Sequence, residues 1–233
     1  GAYSKYPGIY QLGDIPQDNG KGVREGSLGN DKVGWEIAKK SNIGLDFTMF
    51  NQKLTGAVDF FMEKRNNILV VRDDIPTQTG LVKSMLPAQN EGEVTNKGYE
   101  VSLNFKDKIN DFRYEFGLNY SFARNNIEYI AEVEKPYAYQ MRKGHPIGTI
   151  FGYTWTGKFY DYPDLENPEI PKPTYPIKAG DLMFKDLNND GIINDYDRGA
   201  IGYPSIPEII YGINMGFDYK GIYANIFFQG ASN

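Results

Sequence analysis

Residues 186 to 197 read DLNNDGIINDYD, with Asp186, Asn188 and Asp190 at alternate places, Gly191 sixth and Asp197 twelfth. This is the D-x-[DN]-x-[DN]-G spacing of an EF-hand-type calcium loop, in which short carboxylate and amide side chains converge on one hard cation. Ca2+ takes about six to eight oxygens. Asp186, Asn188 and Asp190 can give side-chain oxygens, Ile192 its carbonyl at the seventh place, and Asp197 the closing carboxylate. Gly191 permits the sharp turn, and Ile193 can anchor the loop to a core. Asp197 stands where glutamate is usual, so its shorter arm reaches less readily for bidentate closure. The flanks GDLMFK and RGAIGYP are not helical, which points to an isolated structural calcium loop and not one of a sensor pair. A polar Asx-rich turn holding no ion has the same letters.

Ahead of the loop, Tyr153, Trp155, Phe159, Tyr160 and Tyr162 cluster among glycines and prolines. Aromatic planes beside polar groups can stack on sugar faces, which makes Tyr153, Trp155, Phe159 and Tyr160 the candidate substrate-binding set. Rings in a long loop also form its own small core, and for any single ring that is the commoner outcome. His145 is the only histidine and there is no cysteine, so a Cys/His pair is impossible and a Ser/His/Asp triad must run through His145. It precedes Pro146 in loop-like sequence with no nucleophile motif nearby, and is expected to be structural. No spacing singles out a carboxylate pair for glycoside hydrolysis. No phosphate-binding glycine loop precedes a helix, and the chain is not expected to be an enzyme.

The elements that must hold these residues are strands. Asp111 to Ala123, DFRYEFGLNYSFA, places Phe112, Tyr114, Phe116, Leu118, Tyr120 and Phe122 on every second position, with Arg113, Glu115, Gly117, Asn119 and Ser121 between them. Successive strand side chains point to opposite faces, so one face is apolar and the other polar. At ~3.3 Å per residue the apolar run spans about twenty ångströms, near the ~9 to 11 residues of a tilted membrane-crossing strand. A half-buried strand of a soluble sheet alternates in the same way.

The 233 residues carry a net charge of −5 and an acidic pI, which leaves no electrostatic footprint for nucleic acid. No apolar run is long enough for a transmembrane helix, but a barrel, whose strands meet lipid only with alternate residues, keeps a low mean hydropathy. Eighteen tyrosines, 14 phenylalanines and 26 glycines without a cysteine suit an extracytoplasmic β-protein that needs no disulfide. The first residues, GAYSKYPGIY, show no charged region followed by an apolar run, as after removal of a signal peptide or within a longer protein.

In order, residues 1–40 are expected to be loop. Strands follow at 41–50 and 53–64 as one hairpin, a long loop at 65–93, and strands at 94–105 and 111–123 as a second hairpin, making four barrel strands over 41–123. Residues 124–206 form a long excursion holding the calcium-like loop, and 207–233 a final hairpin that stops short. Connections alternate short, long, short, very long, short, so all short turns share one end of an up-and-down meander. Outer-membrane barrels are built so, with short periplasmic turns and long extracellular loops. The fold class expected is all-β, an antiparallel up-and-down transmembrane β-barrel segment; six strands enclose no transport lumen, so the barrel must be larger.

Several stretches resemble the SusC and RagA group of TonB-linked outer-membrane transporters of Bacteroidetes: LGNDKVGWEIAKKSNIGLDF at 28–47, NEGEVTNKGYEVSLNF at 90–105 and KGHPIGTIFGYTWTGKF at 143–159. The most specific is GDLMFKDLNNDGIINDYDRGAIGYPSIPEIIYGIN at 180–214, running on into FFQG at 227–230. The resemblance implies part of a 22-stranded barrel, about the size at which the lumen is plugged. It also implies import of glycans or peptides under TonB-supplied energy across the cell outer membrane, with a SusD-like lipoprotein capping the mouth. The family's plug, its TonB-contacting segment and its last strands have no counterpart in the resemblance. The competing expectation is a secreted, calcium-stabilised carbohydrate-binding β-domain, in which Tyr114, Phe116 and Leu118 would be packed under a second sheet instead of facing lipid.

Overall fold

The computed structural model describes residues 29–72 and 86–233. Six strands form one antiparallel sheet: β1 (Ile37–Met49), β2 (Leu54–Val71), β3 (Ala88–Ile109) and β4 (Phe112–Tyr129), then, after a long excursion, β11 (Ile209–Tyr219) and β12 (Ile222–Ser232). Neighbours in sequence are neighbours in the sheet, in the order β1-β2-β3-β4-β11-β12. Three tight turns, at 50–53, 110–111 and 220–221, lie at one end. They need backbone that few side chains adopt: Phe50, Asn51 and Gln52 have φ of 56°, 54° and 69°, and Asn110 and Lys220 have 54° and 48°.

The register sorts the side chains into two faces, because directly paired residues of an antiparallel ladder point the same way. On one face lie the rows Ile43–Phe60–Tyr99–Phe122–Ile209, Leu45–Val58–Val101–Tyr120–Tyr211 and Met49–Leu54–Phe105–Phe116–Met215. On the other lie Gly44–Asp59–Glu100–Ser121, Asp46–Ala57–Ser102–Asn119 and Thr48–Thr55–Asn104–Gly117–Asn214. The apolar face is bounded by two aromatic groups. Tyr99 lies 5.9 Å from Tyr120, 5.6 Å from Phe122 and 6.2 Å from Phe60, while at the turn end Phe112 lies 5.9 Å from Tyr114 and 6.1 Å from Phe217. Asp107, the one carboxylate on that face near the turns, is neutralised by Lys53 at 2.8 Å.

No second sheet covers the apolar face among the described residues, and Ile43 there is 77% exposed. The packed alternative for Tyr114, Phe116 and Leu118 is therefore not what the structure shows. The buried hydrophobic residues, Ile127, Ala131, Tyr160 and Ile193, lie at the far end of β4 or in the excursion. Bulky rings of the sheet rest on glycines directly across the ladder, as Phe61 does on Gly98 and Phe47 on Gly56.

The strands outrun the alternation that announced them. β1 begins at Ile37, inside the expected 1–40 loop; β2 and β3 continue to Val71 and back to Ala88, across much of the expected 65–93 loop; and β4 runs to Tyr129, into the expected 124–206 excursion. Backbone pairing continues where neither face must be uniformly apolar, and β-bulges near Ile68 and Glu93 break the period there. Residues 1–28 and 73–85 of the expected loops lie outside the described residues.

Candidate functional site

The excursion between β4 and β11 contains only small elements: β5 (Ile150–Tyr153), β6 (Trp155–Phe159), α1 (Tyr162–Glu166), β7 (Lys172–Pro173), β8 (Leu182–Phe184), β9 (Ile192–Ile193) and β10 (Arg198–Ile201). Three two-stranded sheets, β5 with β10, β6 with β8 and β7 with β9, fold it back on itself. Its return is clasped to β4: Ala123 N–H donates to the Glu208 carbonyl at 2.9 Å, and both Glu208 carboxylate oxygens accept from Arg124 Nε at 2.8 Å. Glu208 is buried, and its carboxylate holds the Arg124 guanidinium pKa up.

Asp186, Asn188 and Asp190 are brought together by the turn at Gly191, whose φ is 81°. Asp186 Oδ2 accepts from Gly191 N–H at 2.7 Å, Asn188 Oδ1 from Asp190 N–H at 3.2 Å, and Asp190 Oδ1 from Ile192 N–H at 2.8 Å. Asp197 sits against the backbone of the same loop. Fully buried at 0% exposure, its two oxygens accept the Leu187 and Asn194 amides, each at 2.8 Å. Ile193 is buried beneath the loop, and the Ile192 pair with Lys172 in β7 fixes its backbone. The donor types suit a hard cation; both Asp197 oxygens are engaged by amides of the same loop, and among the described residues no group of three or more His, Asp or Glu side chains is placed to hold a metal. The side chains close the turn on its own amides.

The four candidate aromatics separate. Trp155 and Phe159, 47% and 55% exposed, meet edge to face at 5.5 Å, and the Trp155 indole is fixed by donating to the Lys158 carbonyl at 2.7 Å. Tyr153 is half-buried against Phe184 at 5.4 Å, and burial with the Asp195 carboxylate raises its phenol pKa. Tyr160 is a core residue: 3% exposed, it donates to the Pro171 carbonyl at 2.7 Å. A ring so enclosed presents no face to a ligand, so Tyr160 leaves the substrate-binding set and Trp155 with Phe159 is its accessible part. Its role is instead to hold the excursion together. His145 packs edge-on to Phe151 at 5.4 Å, and its carbonyl accepts from Ile127 N–H at 3.0 Å, which is a structural use.

The sequence did not point to a cavity of about 910 Å³ on the polar-face side, where β2, β3 and β4 outrun the apolar band. Val94 and Ile127, direct cross-strand partners, form part of its wall, and Arg142 and Lys135 stand at its edge. Glu132 sets that edge, its oxygens accepting the backbone amides of Arg142 and Lys143 at 3.0 Å each. No motif announces such a cavity, since four separated segments assemble it.

From residue 3 to 223 the chain matches the family described as TonB dependent receptor-like, beta-barrel. It is 27% identical over 245 aligned positions to the TonB-dependent receptor P3 of Formosa agariphila, covering 98% of this chain and 23% of that protein. To the TonB-dependent receptor SusC of Bacteroides thetaiotaomicron it is 27% identical over 201 positions, covering 82% of this chain and 19% of that one. Among solved structures, the RagAB peptide importer in its open-open state superposes with a TM-score of 0.69 at 17% identity, covering 99% of this chain and 23% of that one. The chain thus spans about a quarter of the length of the relatives it matches.

Proposed function

Because the chain belongs to the TonB-dependent receptor β-barrel family, we propose that it forms six strands and an extracellular excursion of a SusC-like importer that carries glycans or other large nutrients across the cell outer membrane. The observation that carries this reading is the register: apolar rows between two aromatic groups on one face, polar rows on the other. Such a sheet suits a wall with hydrocarbon outside and water within. A SusD-like lipoprotein would close the mouth over the excursion, where Trp155 and Phe159 stand exposed, and TonB would act through parts of the protein outside these residues. Relatives named as receptors support transport and not enzymatic chemistry.

Calcium belongs to the same reading as a structural group. Asp186, Asn188, Asp190 and the Ile192 carbonyl would hold Ca2+, which would cross-link the turn, while Asp197 ties the loop backbone from beneath. Protease cleavage within 130–207 should slow on adding Ca2+ and quicken with chelator. Equal rates would leave the loop to its amides.

The function is tested with the full-length protein in its native cell. Deletion should abolish uptake of a glycan or peptide that the parent imports, a protonophore should do the same, and a lipoprotein should copurify in detergent. Recovery of the full-length protein as a monomer from detergent-free buffer would refute the barrel and favour the secreted carbohydrate-binding domain.

A further inference from the structure

The cavity beside β2, β3 and β4 combines two kinds of wall. Part of its wall is branched aliphatic: Ile68, Val70, Val94, Ile127 and Ile147. Val94 and Ile127 continue the polar inner face of β3 and β4 past the apolar band, so the inner face turns greasy just where the strands leave the membrane level. Three cations, Lys135, Arg142 and Arg198, line it as well. Among the described residues neither Lys135 nor Arg142 has an ion-pair partner, while Arg198 lies 3.8 Å from Asp195 at an exposed, weak pair. The one other carboxylate on the cavity, Glu132, accepts two backbone amides that fix the chain from which Arg142 projects; it keeps its charge, so Lys135, Arg142 and Arg198 against Glu132 and Asp195 leave the lining net positive by one. The 137–139 segment, which joins the lining residues Pro136 and Gln140, is stiffened by Tyr137 stacked on Tyr139 at 5.2 Å.

Resting on the importer reading, we propose that this cavity is a cargo-selecting vestibule for a carboxylate joined to a branched aliphatic group, with Arg142 and Lys135 as its specificity-determining residues. A guanidinium on a fixed backbone receives a carboxylate through two parallel N–H donors, and the ammonium adds a second positive charge. The aliphatic part of the wall then rewards an apolar side chain beside that carboxylate, which a hydrophilic acidic sugar lacks. About 910 Å³ accommodates a group of this size with room for neighbouring residues of a longer cargo. Trp155 and Phe159 lie outside the cavity wall, so the vestibule is distinct from the exposed aromatic pair.

The test uses the full-length protein, folded in detergent and titrated calorimetrically with N-acetyl-Leu-Glu, its neutral analogue N-acetyl-Leu-Gln and N-acetyl-Gly-Glu, each as the C-terminal amide so that the Glu side chain is the one carboxylate, and with trigalacturonate. The unaltered protein should bind N-acetyl-Leu-Glu more tightly than each of the other three. Arg142→Gln should weaken it about tenfold or more and Lys135→Gln by a smaller factor, both leaving N-acetyl-Leu-Gln unchanged. The heat-modifiable gel shift of a folded barrel verifies that each variant is intact, and Lys135→Gln carries the test if Arg142→Gln does not fold. Equal binding of the Glu and Gln probes, tighter binding of trigalacturonate, or no binding of N-acetyl-Leu-Glu by a folded barrel would overturn the proposal. Failure of the importer reading looks different: no detergent requirement and no barrel shift at all.

Discussion

Leu118→Arg against Asn119→Arg separates a lipid face from a wet one with two neighbouring residues of β4. Leu118 pairs with Leu103 and Ile213 on the apolar face, and Asn119 with Ser102 and Gly212 on the polar one. From Tyr99 to Ile109 β3 runs ten steps along the apolar band, about 33 Å at ~3.3 Å per step, or about 25 Å of depth for strands tilted ~40°. Leu103 is four steps from Tyr99, so Leu118 opposite it lies about 10 Å below one aromatic group, close to mid-depth. An arginine at that depth on a lipid face costs roughly 2–4 kcal/mol, falling to about 0–1 near the interfaces. Leu118→Arg should therefore lower the folding equilibrium in bilayers roughly 30- to 900-fold at 1.36 kcal/mol per decade. Tyr99→Arg, at the band edge, should cost about 1 kcal/mol or less, and Asn119→Arg little. The assay is reversible denaturant unfolding of the full-length protein in liposomes. A cost for Asn119→Arg as large as that for Leu118→Arg, or no depth dependence between residues 118 and 99, would refute the assignment of faces.

Gly98→Ala should destabilise by about 1–3 kcal/mol, because the added methyl meets the Phe122 carbonyl of the next strand and lies 2.7 Å from Phe61 Cζ; a lowered yield of heat-modifiable barrel reads it out. Tyr160→Ala should cost the excursion about 3–5 kcal/mol through the cavity it leaves, measured as faster limited proteolysis within 130–207 while the barrel shift is kept. Trp155→Ala should leave that proteolysis unchanged. Burial raises the Tyr160 pKa, so its stabilising contribution is intact below the ordinary tyrosine value and is lost as pH climbs through the raised one. Tyr160→Phe should flatten that alkaline loss of protease resistance.

Much of the sheet was legible because one requirement was written into it repeatedly. Where a strand must keep one face apolar, as from Phe112 to Phe122, the period of two is unbroken and fixes both element and face. Past the band the constraint lapses: Asn125, Asn126 and Glu128 continue β4 without it, and the bulge at Glu93 shifts the pattern, so pairing there comes from the partner strand and not from local sequence. The Asp186 to Asp190 turn was legible because Asx side chains act on amides only a few residues away. Asp197 was legible from its twelfth place in the loop pattern but not in its direction, since its turn toward the Leu187 and Asn194 amides depends on tertiary burial. Tyr160 and Trp155 look alike in the sequence, and only the sheets of the excursion decide which is enclosed.

The sheet and the excursion are stabilised in different ways for one reason. A barrel wall commits its apolar face to lipid and its polar face to water, so neither is free to serve as a core for a long loop. The excursion must supply its own: a buried Tyr160 and Ile193, small paired strands, Asx turns and a clasp at Arg124 and Glu208. It meets the sheet mainly where the strands extend beyond the apolar band, around Ile127. That boundary is also where the cavity of about 910 Å³ opens. A site placed there can change its walls by substitution in the excursion without disturbing the lipid-facing rows, because the two are packed by separate sets of residues.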